Sequence, residues 1–194
     1  MVCPIIQQSR AIYRTVQAYR PVDIQEAYDK ERMLTLLKTY GDRLLTRDQT
    51  TAHFTSSAFV VDASFERCLM VYHNIYDSWS WTGGHLDGET DPAATAIREA
   101  WEETGIRTLK PFSPEPIGLD ILPVISHLRK GAYVGAHLHL SLAYGFIGDP
   151  TEPLRVCPEE NQQVGWIPVR KLEDYCSEPH MLPVYRKLIK ALKK

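Results

Sequence analysis

Hydrophobic positions along this chain recur with two periods, and the two periods divide it into strands and helices. In GAHLHLSLAYGFIG, residues 135–148, Leu138, Leu140, Leu142 and Tyr144 alternate with His137, His139, Ser141 and Ala143, which predicts a strand with one apolar face. HFTSSAFVVD from His53 to Asp62, RCLMVYH from Arg67 to His73 and PIGLDILPVIS from Pro116 to Ser126 predict three more strands. QVGWIPVRKLEDY reads as a short last strand running into a helical turn. Between Val22 and Tyr40 the spacing changes: Ile24, Ala27, Tyr28, Met33, Leu34, Leu36 and Leu37 fall at helical intervals, and Gly41 is placed to stop the helix. The final PHMLPVYRKLIKALKK predicts a helix started or kinked at Pro183, with basic residues at its negative end.

A further helix is delimited by its caps. Asp91 supplies an acceptor, Pro92 the first helical residue, and Gly105 the stop, with Ile106 as the apolar residue beyond it. Ala93, Ala96, Ile97, Ala100 and Trp101 share one face, and Glu99, Glu102 and Glu103 span an arc of about 100° elsewhere. Strands before and after this helix, with helices at both ends, predict an α/β fold with a mixed sheet between helical layers. Residues 1–48 read as an N-terminal helical extension docked on a main body of residues 49–194.

Composition narrows the function classes. At 194 residues, 44% hydrophobic and 24% charged, the chain suits one soluble domain with an extension. A net charge of −2 without a basic stripe argues against a nucleic-acid polymer as partner, and RKLIKALKK reads as a solvated helix end. Cys3, Cys68, Cys157 and Cys176 show no metal or redox spacing, so they read as reduced thiols of an intracellular protein, Cys68 packed in a strand. With no signal peptide or membrane span evident, the expected location is the cytoplasm, and a homodimer is compatible with the sequence.

The chemistry centres on three glutamates beside a Gly-Gly loop. Like charges three or four residues apart cost only roughly 0.2–0.5 kcal/mol per pair, so a solvated acidic face would tolerate this spacing. The surroundings distinguish this helix: Gly83-Gly84 lies before it, Arg98 precedes the acids, and Gly105 closes it. Gly84, Arg98, Glu99, Glu102, Glu103, Gly105 and Ile106 fit, without a gap, the motif called the Nudix box, and the segment Gly83 to Ile106 resembles that family. Two positions depart: Thr90 stands where the first box glutamate belongs, flanked by Glu89 and Asp91, and Ala100 replaces a bulky aliphatic. The resemblance covers roughly His53 to Trp166.

That resemblance implies a Nudix-like α/β/α sandwich and divalent-metal-dependent hydrolysis of a diphosphate bond, in a nucleoside diphosphate-linked or related small molecule, using Mg²⁺ or Mn²⁺. It implies Glu99 and Glu103 as direct metal ligands, and Glu102 as a further ligand or an aid in orienting the attacking water. The Gly83 carbonyl is implied as an extra ligand, Arg98 as orienting the carboxylates, and Gly84 and Gly105 as structural. The departure at Thr90 touches a supporting carboxylate, for which Glu89 substitutes if the loop carries its extra residue on the helix side. Nudix proteins often recruit a base from a loop outside the box; CPEENQQVGW offers Glu159 and Glu160, each of which also reads as a loop-surface acid, and of the two Glu160 is preferred as the base. Glu102, Glu103 and Glu160 are thus the catalytic candidates.

Other residues carry weaker signals. His85 could contact a phosphate or be polar loop filler. His137 and His139 share a strand face at a spacing that can bind zinc, but the sequence indicates no third ligand, so a cleft-lining face, with His139 as a substrate contact, or a solvent-facing pair is expected. Trp79, Trp81 and Tyr144 could stack on a substrate ring or pack internally. Two rival functions fit the same fold: an isoprenoid-diphosphate isomerase, which would need a catalytic cysteine, and a non-catalytic nucleotide-sensing module.

Overall fold

Two cores lie on opposite faces of one sheet, and the alternation within the central strand assigns each side chain to its core. The computed structural model describes residues 7–129 and 131–193; Cys3 and the final lysine lie outside them. In chain order the elements are α1 Arg10–Ala18, α2 Ile24–Tyr40, a 3₁₀ turn Gly41–Leu45, β1 Ala52–Val61, β2 Arg67–His73, β3 Ser78–Ser80, β4 Thr82–His85, α3 Pro92–Thr104, β5 Leu109–Pro111, β6 Gly118–Val124, β7 His127–Arg129, β8 Ala132–Val134, β9 His137–Gly148, β10 Asn161–Pro168, a 3₁₀ turn Val169–Lys171, α4 Leu172–Tyr175 and α5 Met181–Leu192. The main sheet follows the path β10-β2-β1-β9-β5, with β3 on β2, β4 on β1 and β6 on β9. Its β1–β9 pair is parallel and the others antiparallel, so the sheet is mixed.

From β1, Phe54, Ala58 and Val60 enter a core with Ile12, Val16, Met33 and Leu37 of α1 and α2 and Ala96 and Ala100 of α3. Phe59 and Val61 point the other way, into a core with Val184, Tyr185 and Leu188 of α5. Successive strand side chains leave opposite faces, and helices cover both, which gives the expected α/β/α sandwich. The apolar face foreseen in β9 also forms: Leu140, Leu142, Tyr144 and Phe146 all enter the first core.

The helical extension differs from expectation in its packing. Ile24 and Tyr28 are exposed, whereas Glu26 and Asp29 are buried among α2's neighbours. The reason is the free edge of β6: Glu26 accepts the Leu119 N–H at 3.4 Å and Asp29 accepts the Ile121 N–H at 3.0 Å. Two carboxylates almost one helical turn apart thus satisfy alternate outward amides of an edge strand, which would otherwise be open to pairing with another chain. On α3 a similar rotation leaves Ile97 and Trp101 exposed, lining an open groove of about 500 Å³ with Ala94, Arg98, Ile106 and Arg107. The C-terminal helix starts at Met181, so Pro183 sits inside its first turn, where a missing N–H is harmless. None of the described helices is long and apolar enough to cross a membrane.

Candidate active site

The caps of α3 form as its sequence indicates: Asp91 accepts the Ala94 N–H at 3.1 Å, Pro92 opens the helix, and Gly105 closes it in the left-handed conformation at φ 78°. Ala96 and Ala100 sit flat on the sheet, which fixes the helix's rotation and separates the three glutamates. Glu103 is 2% exposed, the Glu99 side chain 12%, and the Glu102 side chain 45%. One carboxylate oxygen each from Glu99, Glu103 and Glu160 lie within 4.8 Å of one another. Glu102 stands outside that cluster among the described residues and pairs with Arg98 at 3.1 Å. Arg98 Nη1 also reaches Glu99 at 2.9 Å, so one guanidinium nitrogen bridges both acids instead of forming a two-pronged pair with either.

The glycine loop is shaped around these acids. Strand β4 pairs with β1, Gly84 opposite Ser56 and Gly83 opposite Ser57. A Cβ on Gly84 would come within 2.4 Å of the Glu99 carboxyl carbon, so only hydrogen leaves room for that side chain. The Gly83 N–H donates to Glu103 Oε1 at 2.8 Å. Glu89 and Thr90 are exposed, and Glu89 is not part of the acidic cluster found among the described residues.

Glu160 arrives from the loop before β10, and the residue that holds this loop belongs to no motif in the sequence. Asn161 is fully buried; its Nδ2 donates to the Glu103 carbonyl at 3.0 Å and its Oδ1 accepts the Cys157 N–H at 3.2 Å. The Glu160 and Asn161 amides both return to the Cys157 carbonyl, at 2.9 and 2.8 Å. One amide side chain therefore ties the end of α3 to the turn carrying Glu160. The only sequence signal was an asparagine directly after Glu-Glu at a turn.

The electrostatics follow from burial and crowding. Burial pushes the Glu103 carboxyl well above its ordinary value, the Gly83 N–H pulls it back, and Glu160, Glu99 and Glu102 push it further up. Burial likewise raises Glu99, opposed by Arg98 and reinforced by Glu102 and Glu160. Glu99 and Glu103, whose ionisation burial and neighbouring carboxylates oppose, form with the adjacent Glu160 the hard-oxygen donor set that a small divalent cation fits.

The remaining candidates are distributed elsewhere. His85 and His139 do not approach the acidic cluster; with His53 and His137 they form a group on the other face of the sheet. Tyr144 is buried in the first core, Trp79 meets Tyr72 and Tyr175 edge-on, and Trp81 meets Tyr185 edge-on. All three pack against protein. Cys68 is fully buried, and burial pushes its thiol up to about 12.

The family model described as the NUDIX domain matches residues 52–191. A curated relative, the CMP-5'-(N-acetyl-N-hydroxy-3-aminopropyl)phosphonate hydrolase of Streptomyces rubellomurinus (strain ATCC 31215), is 32% identical over 120 residues, 59% of this chain and 51% of the relative. The chain thus spans about half the length of that relative. Among solved structures, a C. elegans Ap4A hydrolase binary complex superposes with a TM-score of 0.51 at 16% identity, covering 72% of this chain and 97% of that one. This last likeness is one of fold.

Proposed function

The chain belongs to the Nudix hydrolase family, and from that premise we propose that it hydrolyses a diphosphate bond in a nucleotide-linked small molecule with Mg²⁺ or Mn²⁺ at the acidic cluster. The observation that carries this reading is the convergence of Glu99, Glu103 and Glu160, from a helix and a separate loop, to within 4.8 Å. A hydrolase relative whose name specifies a CMP-linked phosphonate supports a nucleotide moiety in the substrate.

Glu99 and Glu103 would hold the ion, with the Gly83 carbonyl as a further oxygen. When bound, the ion supplies charge neutralisation at the diphosphate and lowers the pKa of a coordinated water. The protein's own residues do the positioning. Gly83 N–H fixes the Glu103 carboxylate, and Arg98 fixes Glu99. Asn161 holds the turn from which Glu160, assigned as the general base, takes a proton from the attacking water. Glu102, bound to Arg98 at the rim, stabilises that arginine and orients water from outside the buried pair.

An isoprenoid-diphosphate isomerase would need a catalytic cysteine; of the two candidates, Cys68 and Cys157, the first has a buried thiol that is neither accessible nor acidic enough for catalysis. The proposal is tested by phosphate release from nucleoside triphosphates, dinucleoside polyphosphates, nucleotide sugars and dinucleotide cofactors, with and without Mg²⁺ or Mn²⁺. Glu103→Gln is expected to reduce metal-dependent turnover by more than the roughly 10–100-fold that loss of an outer-shell partner costs. Full activity in that variant, or tight nucleotide binding by the wild type with no turnover, would contradict it; the second outcome would favour a sensor.

A further inference from the structure

The sheet face opposite α3 carries an arrangement that the acidic cluster does not use. His53 on β1 lies beside His139 on β9 in parallel register, and His85 on β4 lies opposite Thr55, two residues along β1 from His53. His137 precedes His139 by two residues. Strand geometry puts all four imidazoles on one face, the face that further along β1 carries Phe59 and Val61 into the second core. One ring nitrogen from each lies within 4.8 Å of the others.

We propose that His53, His85, His137 and His139 form a second metal site, distinct from the acidic one, that takes a borderline divalent transition ion of the zinc class. Three observations carry it. The first is ring geometry. Around a tetrahedral ion bound at ~2.0–2.1 Å, imidazole nitrogens stand about 3.3 Å apart and ring centres about 5.2 Å apart. Here the His137 and His139 Nε2 atoms are 3.2 Å apart. The ring centres are 4.9 Å apart for His53–His85, 4.8 Å for His53–His137, 5.2 Å for His53–His139, 5.0 Å for His85–His139 and 5.1 Å for His137–His139. None of these pairs is stacked; the planes are inclined by 33° to 89°, as rings converging on a common point must be.

The second observation is the tautomer. His53 Nδ1 lies 3.0 Å from the Gln49 carbonyl and His137 Nδ1 lies 2.8 Å from the Gly135 carbonyl. A carbonyl only accepts, so both Nδ1 atoms carry the proton and both Nε2 lone pairs face the cluster. Backbone carbonyls orienting a histidine through its far nitrogen are the usual support of a metal-binding imidazole. The third is an unanswered acceptor. His53 is only 4% exposed, and its Nε2 has no hydrogen-bond partner among the described residues. A buried lone pair in that state costs free energy unless a donor or a cation meets it.

The electrostatics agree. Burial lowers both His53 and His139, and the neighbouring imidazoles lower His139 further, to about 2. Burial thus favours the uncharged form of these two rings, which suits a cation and not a phosphate. Imidazoles favour zinc, copper, iron or nickel over magnesium, so the two sites select different ions. Four protein donors leave no open position, which makes this a structural site. It clamps β1, β4 and β9 at one end, and β4 also carries Gly83 and Gly84 to the acidic cluster.

The experiment measures metal binding without substrate, so its result is independent of hydrolysis. The full chain, prepared without a metal-affinity tag and stripped with chelator, is titrated with Zn²⁺ in excess Mg²⁺, and separately with Co²⁺. Expected are one tightly bound Zn²⁺ per chain, visible absorption of tetrahedral nitrogen-ligated Co²⁺, and a Zn²⁺-dependent rise in the thermal midpoint, all preserved in Glu103→Gln. His53→Gln and His139→Gln should each weaken Zn²⁺ binding by at least ~100-fold, exceeding the effect of losing a supporting partner. Absence of stoichiometric Zn²⁺ binding and thermal shift in the wild type overturns the proposal, and needs no histidine variant to fold. Binding lost in Glu103→Gln but kept in His139→Gln also overturns it, by placing the ion among the acids.

Discussion

Gly84 shows how narrowly one residue constrains the acidic cluster. Its backbone angle is unexceptional, but an added Cβ would sit 2.4 to 2.6 Å from three atoms of the Glu99 carboxylate. Gly84→Ala must therefore displace Glu99 while leaving the strand itself unstrained. A misplacement of about 1 Å near a reacting centre costs on the order of 10²-fold in rate. The expected outcome is a loss of that size in kcat at saturating metal, with a nearly unchanged thermal midpoint; equal losses of activity and stability would mean that β4 itself is disrupted. Spacing alone locates Gly84 and the three glutamates, whereas the ranking of Glu99 and Glu103 above Glu102 rests on the family resemblance. Helical periodicity counts Ile97 and Trp101 with the packed face, whereas of that face only Ala96 and Ala100 are fully buried. That difference in rotation buries Glu103 and leaves Glu102 at the rim. Asn161 escaped for another reason: its partners are a carbonyl on α3 and an amide in a loop, and neither leaves a periodic trace.

At the scale of an element, α1 is the helix that the sequence did not reveal. Its stretch RAIYRTVQA buries only Ile12 and Val16, and Ser9 before it makes no cap to its own helix. The cap comes from Asp42, more than thirty residues later, which accepts the N–H groups of Gln7, Gln8 and Ser9 and the Ser9 hydroxyl. Burial works against the Asp42 charge, but the Ser9 hydroxyl and the three amides outweigh it and hold the carboxyl below its ordinary value. A depressed carboxylate stabilises the fold above its unfolded pKa of roughly 3.9, and that stability is lost as pH falls through the lower, folded value. Asp42→Ala is expected to weaken the docking of α1 by about 1 kcal/mol near neutrality, the usual worth of a cap. It should also flatten the fall in thermal midpoint between about pH 4 and the folded pKa. Hydrogen exchange at Ile12 and Val16 would localise the effect; an unchanged acid limb would show that Asp42 does not anchor this helix. Helices α2 and α3 are legible because their caps lie within their own sequences, and α5 because of its apolar periodicity, whereas α1 has no side-chain cap of its own and buries only two apolar residues.

Across the whole molecule, the N-terminal helices, the sheet edge and the last helix meet at one buried lysine. Lys187 of α5 lies 2.9 Å from Glu26 of α2 and 2.6 Å from Asp120 of β6, with all three side chains almost fully enclosed. Glu26 also accepts the Tyr19 hydroxyl at 2.8 Å and the Val22 N–H at 2.8 Å, and so secures the link between α1 and α2. The boundary proposed at residue 48 therefore separates two stretches of sequence whose charges neutralise one another. No local pattern announces this, because the partners are more than sixty residues apart and each alone resembles an ordinary surface charge. Lys187→Met keeps the volume and removes the one cation in direct contact with either carboxylate among the described residues. Breaking a buried pair in this way destabilises by about 3–5 kcal/mol, since the remaining acids stay dehydrated without a counter-charge. Urea unfolding should show that loss as a lower midpoint. Because Glu26 also covers the β6 edge, the variant should associate at concentrations where the wild type does not. A midpoint within about 1 kcal/mol of wild type, the range of surface pairs, would mean that water reaches this cluster in solution and that the extension is held by its apolar contacts alone.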